Sequence, residues 1–335
     1  MKGTGSDRGT NGKGDFLPPF RQSGGTPGLL VVGSVALDSI ETTWGKVSDV
    51  LGGSATYAAL AARFWTQVGV VAVVGEDFPH LYWQLFSKLG LLGEGLQRVP
   101  GRTFRWQGRY GEDGQAHTLH LDLGVFQSFR PRLPKRFRSV RSAFLANIHP
   151  ALQWSVLRQL TCKRLTACDS REDWIRSERE DLLKVMRHTD LVFLNDGEAR
   201  LLTGISSLVQ ATRQLVRIGA KVAVVKKGEH GVLVATEDAF FSLPGYPVAT
   251  VVDPTGAGDA FAGTCLGYLA NQRRLTWANL CKAIQYASVV ASMTIEDFGT
   301  TRLSGLTKAE IFRRARAFQS ITHSIVLKRK TGLSG

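Results

Sequence analysis

The sequence predicts an α/β fold: a doubly wound, mostly parallel sheet flanked by helices, with a small second sheet beside it. Three observations carry this. Short apolar runs of strand length recur along the chain with helical stretches between them. The first run, Leu29-Leu30-Val31-Val32-Gly33, has no polar alternation, as a parallel strand buried on both faces requires. Residues 103–125 instead alternate with period 2 around an Asp-Gly turn, which is the pattern of a hairpin. A chain of 335 residues suits one large α/β domain with a small appendage, or two ordinary domains.

Taken in order, residues 1–28 are rich in Gly, Ser, Thr and Pro without apolar periodicity, and read as a disordered tail. Asp38 follows just past the carboxyl end of the first strand, where open sheets place ligands, although a turn or cap would also use an Asp there. Gly52-Gly53-Ser54 opens a helix over 55–64, and 68–74 is a second buried strand. The helix over 78–89 is expected to bury Leu81, Leu85 and Leu89 on one face. In the hairpin, Phe104, Trp106 and Tyr110 alternate with Arg105, Gln107 and Arg109, and Leu119, Leu121 and Leu123 alternate with His120 and Asp122. A lone hairpin is marginal in water, so it is expected to pair with residues 38–51. The leucines would then give the small sheet an apolar face of its own. Further strands are expected at 143–147, 165–168, 191–194 and 222–226, with 232–235 and 240–243 as an antiparallel edge hairpin. Helices over 275–293 and 308–319 precede a basic tail, 323–335.

The chemistry concentrates in Asp253-Pro254-Thr255-Gly256-Ala257-Gly258-Asp259, which follows a β-branched run, 249–252, read as a strand end. Gly256-Ala257-Gly258 leaves backbone N–H groups bare at a helix start, and with the helix dipole these make an anion site. Asp259 puts a carboxylate beside it. That pairing suits a transferring phosphoryl group with a carboxylate taking the acceptor's proton, whereas an isolated Asp there would be only a dipole partner. Asn195-Asp196-Gly197-Glu198 follows the strand at 191–194 and would cap the next helix on local grounds. Lys226-Lys227-Gly228-Glu229-His230-Gly231 links two strands as a glycine hairpin. The chain has no G-x-x-x-x-G-K-[ST] and no G-x-G-x-x-G after its first strand, so neither a P-loop nor a dinucleotide fingerprint is present.

The string from Asp253 to Gly263 resembles the C-terminal signature of the PfkB, or ribokinase-like, family of sugar and nucleoside kinases, and the resemblance covers roughly residues 29–302. It implies a ribokinase-like kinase domain over 29–322, with a β-sheet lid from about 38–51 and 102–125. It implies Asp259 as catalytic base, an anion hole at Gly256, Ala257 and Gly258, and acceptor binding by Asp38 and the Gly52-Gly53 turn. The family's G-G-x-x-x-N pattern departs here, because Tyr57 stands at the Asn position. Asn195 and Glu198 match an N-x-x-E motif tied to Mg²⁺, reached through water. Lys227, Gly228, Gly231 and Thr255 are the expected ATP contacts. Asp253 and Thr255, with Gly299 and Thr300, would contribute to a K⁺ site. The reaction implied is ATP-dependent phosphorylation of a small sugar or polyol hydroxyl. The rivals are a nucleoside kinase and a catalytically silent binding or regulatory relative. An inward-facing aromatic face on the lid would favour a nucleoside, while the lid's need for a packed apolar face tips the expectation toward a sugar or polyol.

Composition narrows the class. No apolar run is long enough to cross a bilayer, and the N-terminus lacks a signal-peptide pattern. Cys162, Cys168, Cys265 and Cys281 show no C-x-x-C spacing, so a reducing cytoplasm is expected rather than a disulfide framework. The net charge of +14 is spread over 98–109, 130–141, 313–316 and 328–330 without a nucleic-acid motif, so specific nucleic-acid binding is not expected. The partners expected are a small sugar, polyol or nucleoside, and the resemblance allows a homodimer through the lid.

Overall fold

The structure is a computed structural model describing residues 25–322 apart from 112, 113 and 115. The expected basic tail, nearly all of the expected N-terminal tail and most of the Asp-Gly turn lie outside the described residues. The strands are β1 (Leu29–Val32), β2 (Ala36–Thr42), β3 (Gly45–Gly52), β4 (Val68–Val74), β5 (Leu92–Arg98), β6 (Arg105–Tyr110), β7 (Ala116–Asp122), β8 (Ser142–Leu145), β9 (Leu165–Asp169), β10 (Leu191–Asn195), β11 (Val222–Lys226), β12 (Val232–Ala235) and β13 (Phe240–Leu243). The helices are α1 (Ser54–Ala62), α2 (His80–Lys88), α3 (Pro150–Gln159), α4 (Glu172–Ser177), α5 (Arg179–Arg187), α6 (Asp196–Thr203), α7 (Leu208–Ile218), α8 (Ala257–Ala270), α9 (Trp277–Thr294), α10 (Thr301–Gly305) and α11 (Lys308–Thr322).

Among the described residues the main sheet has 9 strands in the order β13-β12-β11-β10-β9-β8-β1-β4-β5. It is parallel except at β12 and β13, which pair antiparallel on one edge as the sequence predicts. Successive side chains of a strand point to opposite faces, and this divides the core in two. Val31, Val70, Phe144, Ala167, Phe193 and Val224 join α1, α8, α9 and α11 on one face. Leu30, Val71, Leu145, Cys168, Leu194 and Val225 join α3, α5, α6 and α7 on the other. The smaller sheet, in the order β3-β2-β6-β7, unites the hairpin with the 38–51 region. Its central pair, β2 and β6, is parallel and its outer pairs are antiparallel.

Several expectations are corrected. Edge strand β5 was not foreseen, because Gly93 and Gly95 interrupt its pattern; β5 runs parallel to β4, with Gly95 opposite Val71. In α2, Trp83 and Phe86 are buried at 6% and 0% exposure, whereas Leu81 is 67% exposed. The larger rings, three positions apart, set the helix phase. Leu119, Leu121 and Leu123 do not form a buried lid face; they stand 46%, 44% and 37% exposed on and beside outer strand β7. Residues 249–252 form no strand: Val251 is exposed, and the N–H groups of Val252 and Asp253 bond the carbonyl of Ile295 in the loop after α9.

Candidate active site

The start of α8 is set by its packing on α1. A Cβ at Gly263 would lie 2.2 Å from the Ala58 carbonyl oxygen, and one at Gly267 would lie 2.9 Å from Ala62 Cα. These glycines let the two helices approach backbone to backbone. The approach brings the first turn of α8 against Tyr57, whose ring covers Gly256. Gly256 caps α8 in the left-handed region, φ 73°, and a side chain there would meet the Tyr57 ring at 2.3 Å. The N–H groups of Gly256, Gly258 and Asp259 have no acceptor among the described residues. Ala257, expected to be one of the donors, turns its N–H back to the Pro254 carbonyl at 3.3 Å. The N–H groups left without a partner at the start of α8 are therefore those of Gly256, Gly258 and Asp259.

Beside the nest lies a cavity of about 150 Å³ lined by Asn147, Asp169, Arg171, Asn195, Glu198, Lys226, Gly258 and Asp259, with Ser170. A larger open depression of about 410 Å³ at Glu76, Arg98, Val99 and Pro100 shares no lining residue with it and brings no such cluster together. Asp169, Asn195 and Lys226 arrive from the ends of β9, β10 and β11. The Lys226 ammonium donates to Asp169 Oδ2 at 2.8 Å, and Asp169 Oδ1 accepts from the Ser170 N–H at 2.8 Å. Asn195 and Glu198 form a reciprocal capping box: the Glu198 N–H donates to Asn195 Oδ1, and the Asn195 N–H to Glu198 Oε2, both at 2.7 Å. The capping role anticipated for this pair is thus present, and the same two side chains also face the cavity. Burial, and then the Asp169 carboxylate, push Asp259 up to about 7, against a lowering from Lys226. Burial, followed by Asp169, raises Glu198 to about 7 as well. Both carboxyls are thus pushed up toward neutrality beside the bare N–H groups of α8.

The opposite side of the site is supplied by the small sheet. Asp38, 4% exposed, packs its carboxylate so tightly on Gly52 that a Cβ there would sit 1.8 Å from Oδ2. Burial, with Asp253 next, raises Asp38 to about 8. Asp38 and Trp106 are register partners in parallel strands, so their side chains share one face of this sheet. Trp106 lies across Gly108 and packs edge-on to Tyr110, with ring centroids 6.4 Å apart. Tyr110 reaches the nest, where the Thr255 hydroxyl donates to Tyr110 Oη at 3.0 Å. Arg105 and Arg109 leave by the other face, to Asp77 at 2.7 Å and Glu41 at 2.9 Å. The aromatic face therefore looks inward. Phe104 does not join it; it stacks on Phe126 instead, 5.3 Å between centroids. Tyr57 is 1% exposed, and its hydroxyl has no hydrogen-bond partner among the described residues. Burial, and then Asp38, hold that phenol well above the usual tyrosine range.

The structure thus gathers Asp38, Gly52, Gly53, Tyr57, Thr255, Gly256, Gly258 and Asp259 at one end of the main sheet, with Asn195 and Glu198 across the cavity. The two oxygens of Asp253 accept the N–H groups of Thr255 (2.9 Å) and Gly299 (2.8 Å), tying the loop after α9 to the start of α8. Gly228 and Gly231, at φ 56° and 87°, make the turn between β11 and β12, where the Lys227 N–H donates to the Gly231 carbonyl at 2.7 Å. Lys227 does not line the cavity; its neighbour Lys226 does. Lys226 and Asp169 are the residues that sequence reasoning missed; Tyr110 was named with the aromatic face of the hairpin, without its contact to Thr255. A signal was present for the first two. Continuing the alternation of Ala167, Phe193 and Val224 by one step puts Asp169, Asn195 and Lys226 on the α8 face.

A family model, "pfkB family carbohydrate kinase", matches residues 28–305 of the chain. A cytidine kinase of Thermococcus kodakarensis is 35% identical over 254 residues, covering 73% of this chain and 88% of that protein. Fructokinase-2 of Zea mays is 34% identical over 286 residues, covering 76% and 84%. Among solved structures, Arabidopsis thaliana ribokinase complexed with ribose and ATP superposes with a TM-score of 0.70 at 18% identity, covering 87% of this chain and 99% of that one. No helix among the described residues is long and apolar enough to cross a membrane.

Proposed function

The chain belongs to the pfkB family of carbohydrate kinases, and from that premise we propose that it transfers the terminal phosphoryl group of ATP to a hydroxyl of a nucleoside, with Asp259 as general base. The family chemistry, ATP-dependent phosphorylation of sugars or nucleosides, accounts for the nest and the neutral-range carboxylate. The acceptor hydroxyl gives its proton to Asp259. Its oxygen bonds to the terminal phosphorus as the bond from that phosphorus to the bridging oxygen breaks, and ADP leaves. The N–H groups at Gly256 and Gly258 receive the charge that spreads onto the phosphoryl oxygens. The small sheet, resting on Thr255 through Tyr110, keeps water from competing with the acceptor.

Mg²⁺ fits this site by its donor set. Among the described residues no cluster of three or more His, Cys, Asp or Glu forms a metal cage. Mg²⁺ keeps most of its water and draws on substrate phosphates, so Glu198 and Asn195 at the cavity wall suit contact through water. When bound, the ion neutralises phosphate charge. Glu198→Gln should raise the Mg²⁺ concentration needed for half-maximal rate, and an unchanged titration would leave the pair as a helix cap alone.

The single observation that carries the nucleoside reading is the inward aromatic face, Trp106 and Tyr110, on the same side of the small sheet as Asp38. A flat base can stack there while Asp38 takes ribose hydroxyls. Stacking on an aromatic contributes roughly 1–3 kcal/mol. This reverses the preference for a sugar or polyol, which rested on the leucines of β7 packing inside the lid. The similarity to a cytidine kinase points the same way, while the similarity to a fructokinase keeps a hexose in the test. The test is a competition assay of pyrimidine and purine nucleosides against a hexose, pentose and inositol set. Cytidine or another nucleoside should win and lose its advantage in Trp106→Ala. Preferred phosphorylation of a sugar, indifferent to Trp106, would overturn the reading. The exposed Leu119 and Leu121 also suit a homodimer through the lid; a chain that sediments as a monomer at micromolar concentration would remove that part.

A further inference from the structure

The net charge of +14 is not spread evenly along the chain. Between Asp122 and Asp169 stand nine Lys and Arg residues, seven of them Arg, and not one Asp or Glu. The fold gathers them. Thr161 binds the Arg138 carbonyl twice, through its N–H at 2.8 Å and its hydroxyl at 3.0 Å. The Arg164 N–H donates to the Arg141 carbonyl at 2.8 Å. Gln159 Oε1 accepts from the Leu133 N–H at 3.0 Å, and its amide donates to the Pro131 carbonyl at 2.9 Å. Residues 131–141 and 158–164 therefore lie side by side as one surface. Leu133, Phe137, Val140 and Leu160 are its buried floor. Arg132, Lys135, Arg138, Arg141, Arg158 and Lys163 are exposed, and among the described residues none has a carboxylate partner. Glu94 and Asp190, near this surface, are held by Arg136 and Lys221. Like charges on one face repel one another, so this face opposes the compact state instead of holding it together. Its place is the start of β8 and β9, where Ser142 and Leu165 are register partners, whereas the cavity lies at the strands' carboxyl ends.

We propose that this face binds nucleic acid through its phosphate backbone, at the end of the main sheet away from the cavity. Cations set against phosphates release condensed counterions, and that release drives binding. Most of the face is Arg, whose planar guanidinium meets phosphate oxygens two at a time. Phosphate contacts carry no base readout, so binding of this kind needs no sequence-reading motif. The Arg164 guanidinium donates to the Gln272 carbonyl in the loop after α8, where the exposed Arg273 and Arg274 extend the charge. An anionic membrane surface is the other large partner with the right sign. Lasting attachment there draws on apolar side chains that insert beside the charges, and those of this run are buried beneath it. Leu275 and Trp277, past Arg274, are 44% and 37% exposed at the rim. The Trp277 ring also suits a stacked base. Because the face and the cavity lie at opposite ends of the sheet, a nucleic acid and a small substrate can be held at once.

The experiment titrates the full chain into a fluorescent oligothymidylate and a mixed-sequence duplex, followed by anisotropy over a salt series. Saturating ATP is present, to keep the oligonucleotide out of the cavity. The parent should bind both with a Kd of about 10⁻⁶–10⁻⁴ M near physiological salt. On the single strand, log affinity against log salt should fall with a slope of about −3, the value for roughly four phosphate contacts. A fourfold variant, Arg132→Glu, Lys135→Glu, Arg141→Glu and Lys163→Glu, should lose affinity by at least about tenfold and flatten that slope. Its melting temperature and turnover should stay near the parent's. The same four positions changed to Gln repeat the test without reversed charge, and should show a smaller loss in the same direction. Unchanged affinity and slope in the Gln variant would overturn the proposal, since binding would then belong to basic residues outside this face. A parent that binds neither oligonucleotide at low salt would overturn it as well. So would capture on phosphatidylserine vesicles by a protein that leaves nucleic acid alone.

Discussion

The two ends of the site are built by different means. On the proposed reading the phosphoryl end would lie at the main sheet and α8, where backbone N–H groups and glycines set the geometry. The acceptor end would lie at the small sheet, where strand register decides which side chains arrive. Around Gly256, neighbours crowd within 2.3 Å of any added carbon. On β7, by contrast, the residues from Ala116 to His120 are all exposed. The first region is over-determined, and few sequences satisfy it. The second is as tight at Gly52 and Gly108, where Asp38 and Trp106 pack, but open along its outer strand.

The comparison is tested hardest at its rigid end. Asp259→Asn should keep the fold and ATP affinity near those of the parent while cutting turnover by about 10² or more, the scale of general-base loss; near-normal turnover in a folded variant would end the base assignment. The same residue sets the pH profile. Its carboxyl is raised to about 7 by burial and by Asp169, and the base must be ionised, so kcat/KM should fall as pH drops below about 7. A plateau persisting to pH 5 would place the base elsewhere.

Next in size is Gly256→Ala. The left-handed backbone costs an L-residue roughly 1–2 kcal/mol, and the new methyl also meets the Tyr57 ring at 2.3 Å. The variant should melt a few degrees lower and lose at least about tenfold in turnover, because the donors shift with the helix start. Wild-type kinetics would mean that the nest tolerates displacement and that the contrast between the two ends is weaker than drawn.

A smaller effect is expected where the ends touch. Tyr110→Phe removes the acceptor of the Thr255 hydroxyl, a bond worth about 0.5–1.5 kcal/mol net. The acceptor KM should rise by roughly 2–10-fold while the ATP KM holds. A change confined to ATP would show that Tyr110 serves the nest rather than the lid.

The last effect is on stability rather than turnover. Asp38 is raised from 3.8 to about 8, chiefly by burial. Between those values the folded state holds a proton that the unfolded chain has released. Stability is therefore lost as pH rises from about 4 to about 8, and is unaffected by this group below about 4. Asp38→Asn should raise the melting temperature most above pH 8, with the gain vanishing toward pH 4, and should weaken acceptor binding. A gain that is constant with pH would mean the carboxyl is not buried as a charge.

The pattern of residues carried the fold class, the strand ladder from residue 29 to 243 except β5, and the glycine-lined start of α8. Each of these is a local matter: apolar run length, helix start chemistry, and glycines where no side chain fits. It also placed Asn195 and Glu198, because polar residues at strand ends are legible once the strands are; Asp38, expected just past the end of β1, lies inside β2. Only the tertiary structure decided the rest. The cavity lysine was within reach of the pattern, since strand parity puts Lys226 on the α8 face of β11 while Lys227 begins the turn, but which face lines the cavity was not. The inward direction of Trp106 and Tyr110 turned on the parallel pairing of β6 with β2. The exposure of Leu119 and Leu121 turned on β7 being the outer strand. A period-2 pattern says that alternate residues share a face, but not which face meets the rest of the molecule. That choice belongs to the long-range pairings, and here it sets the acceptor end of the site.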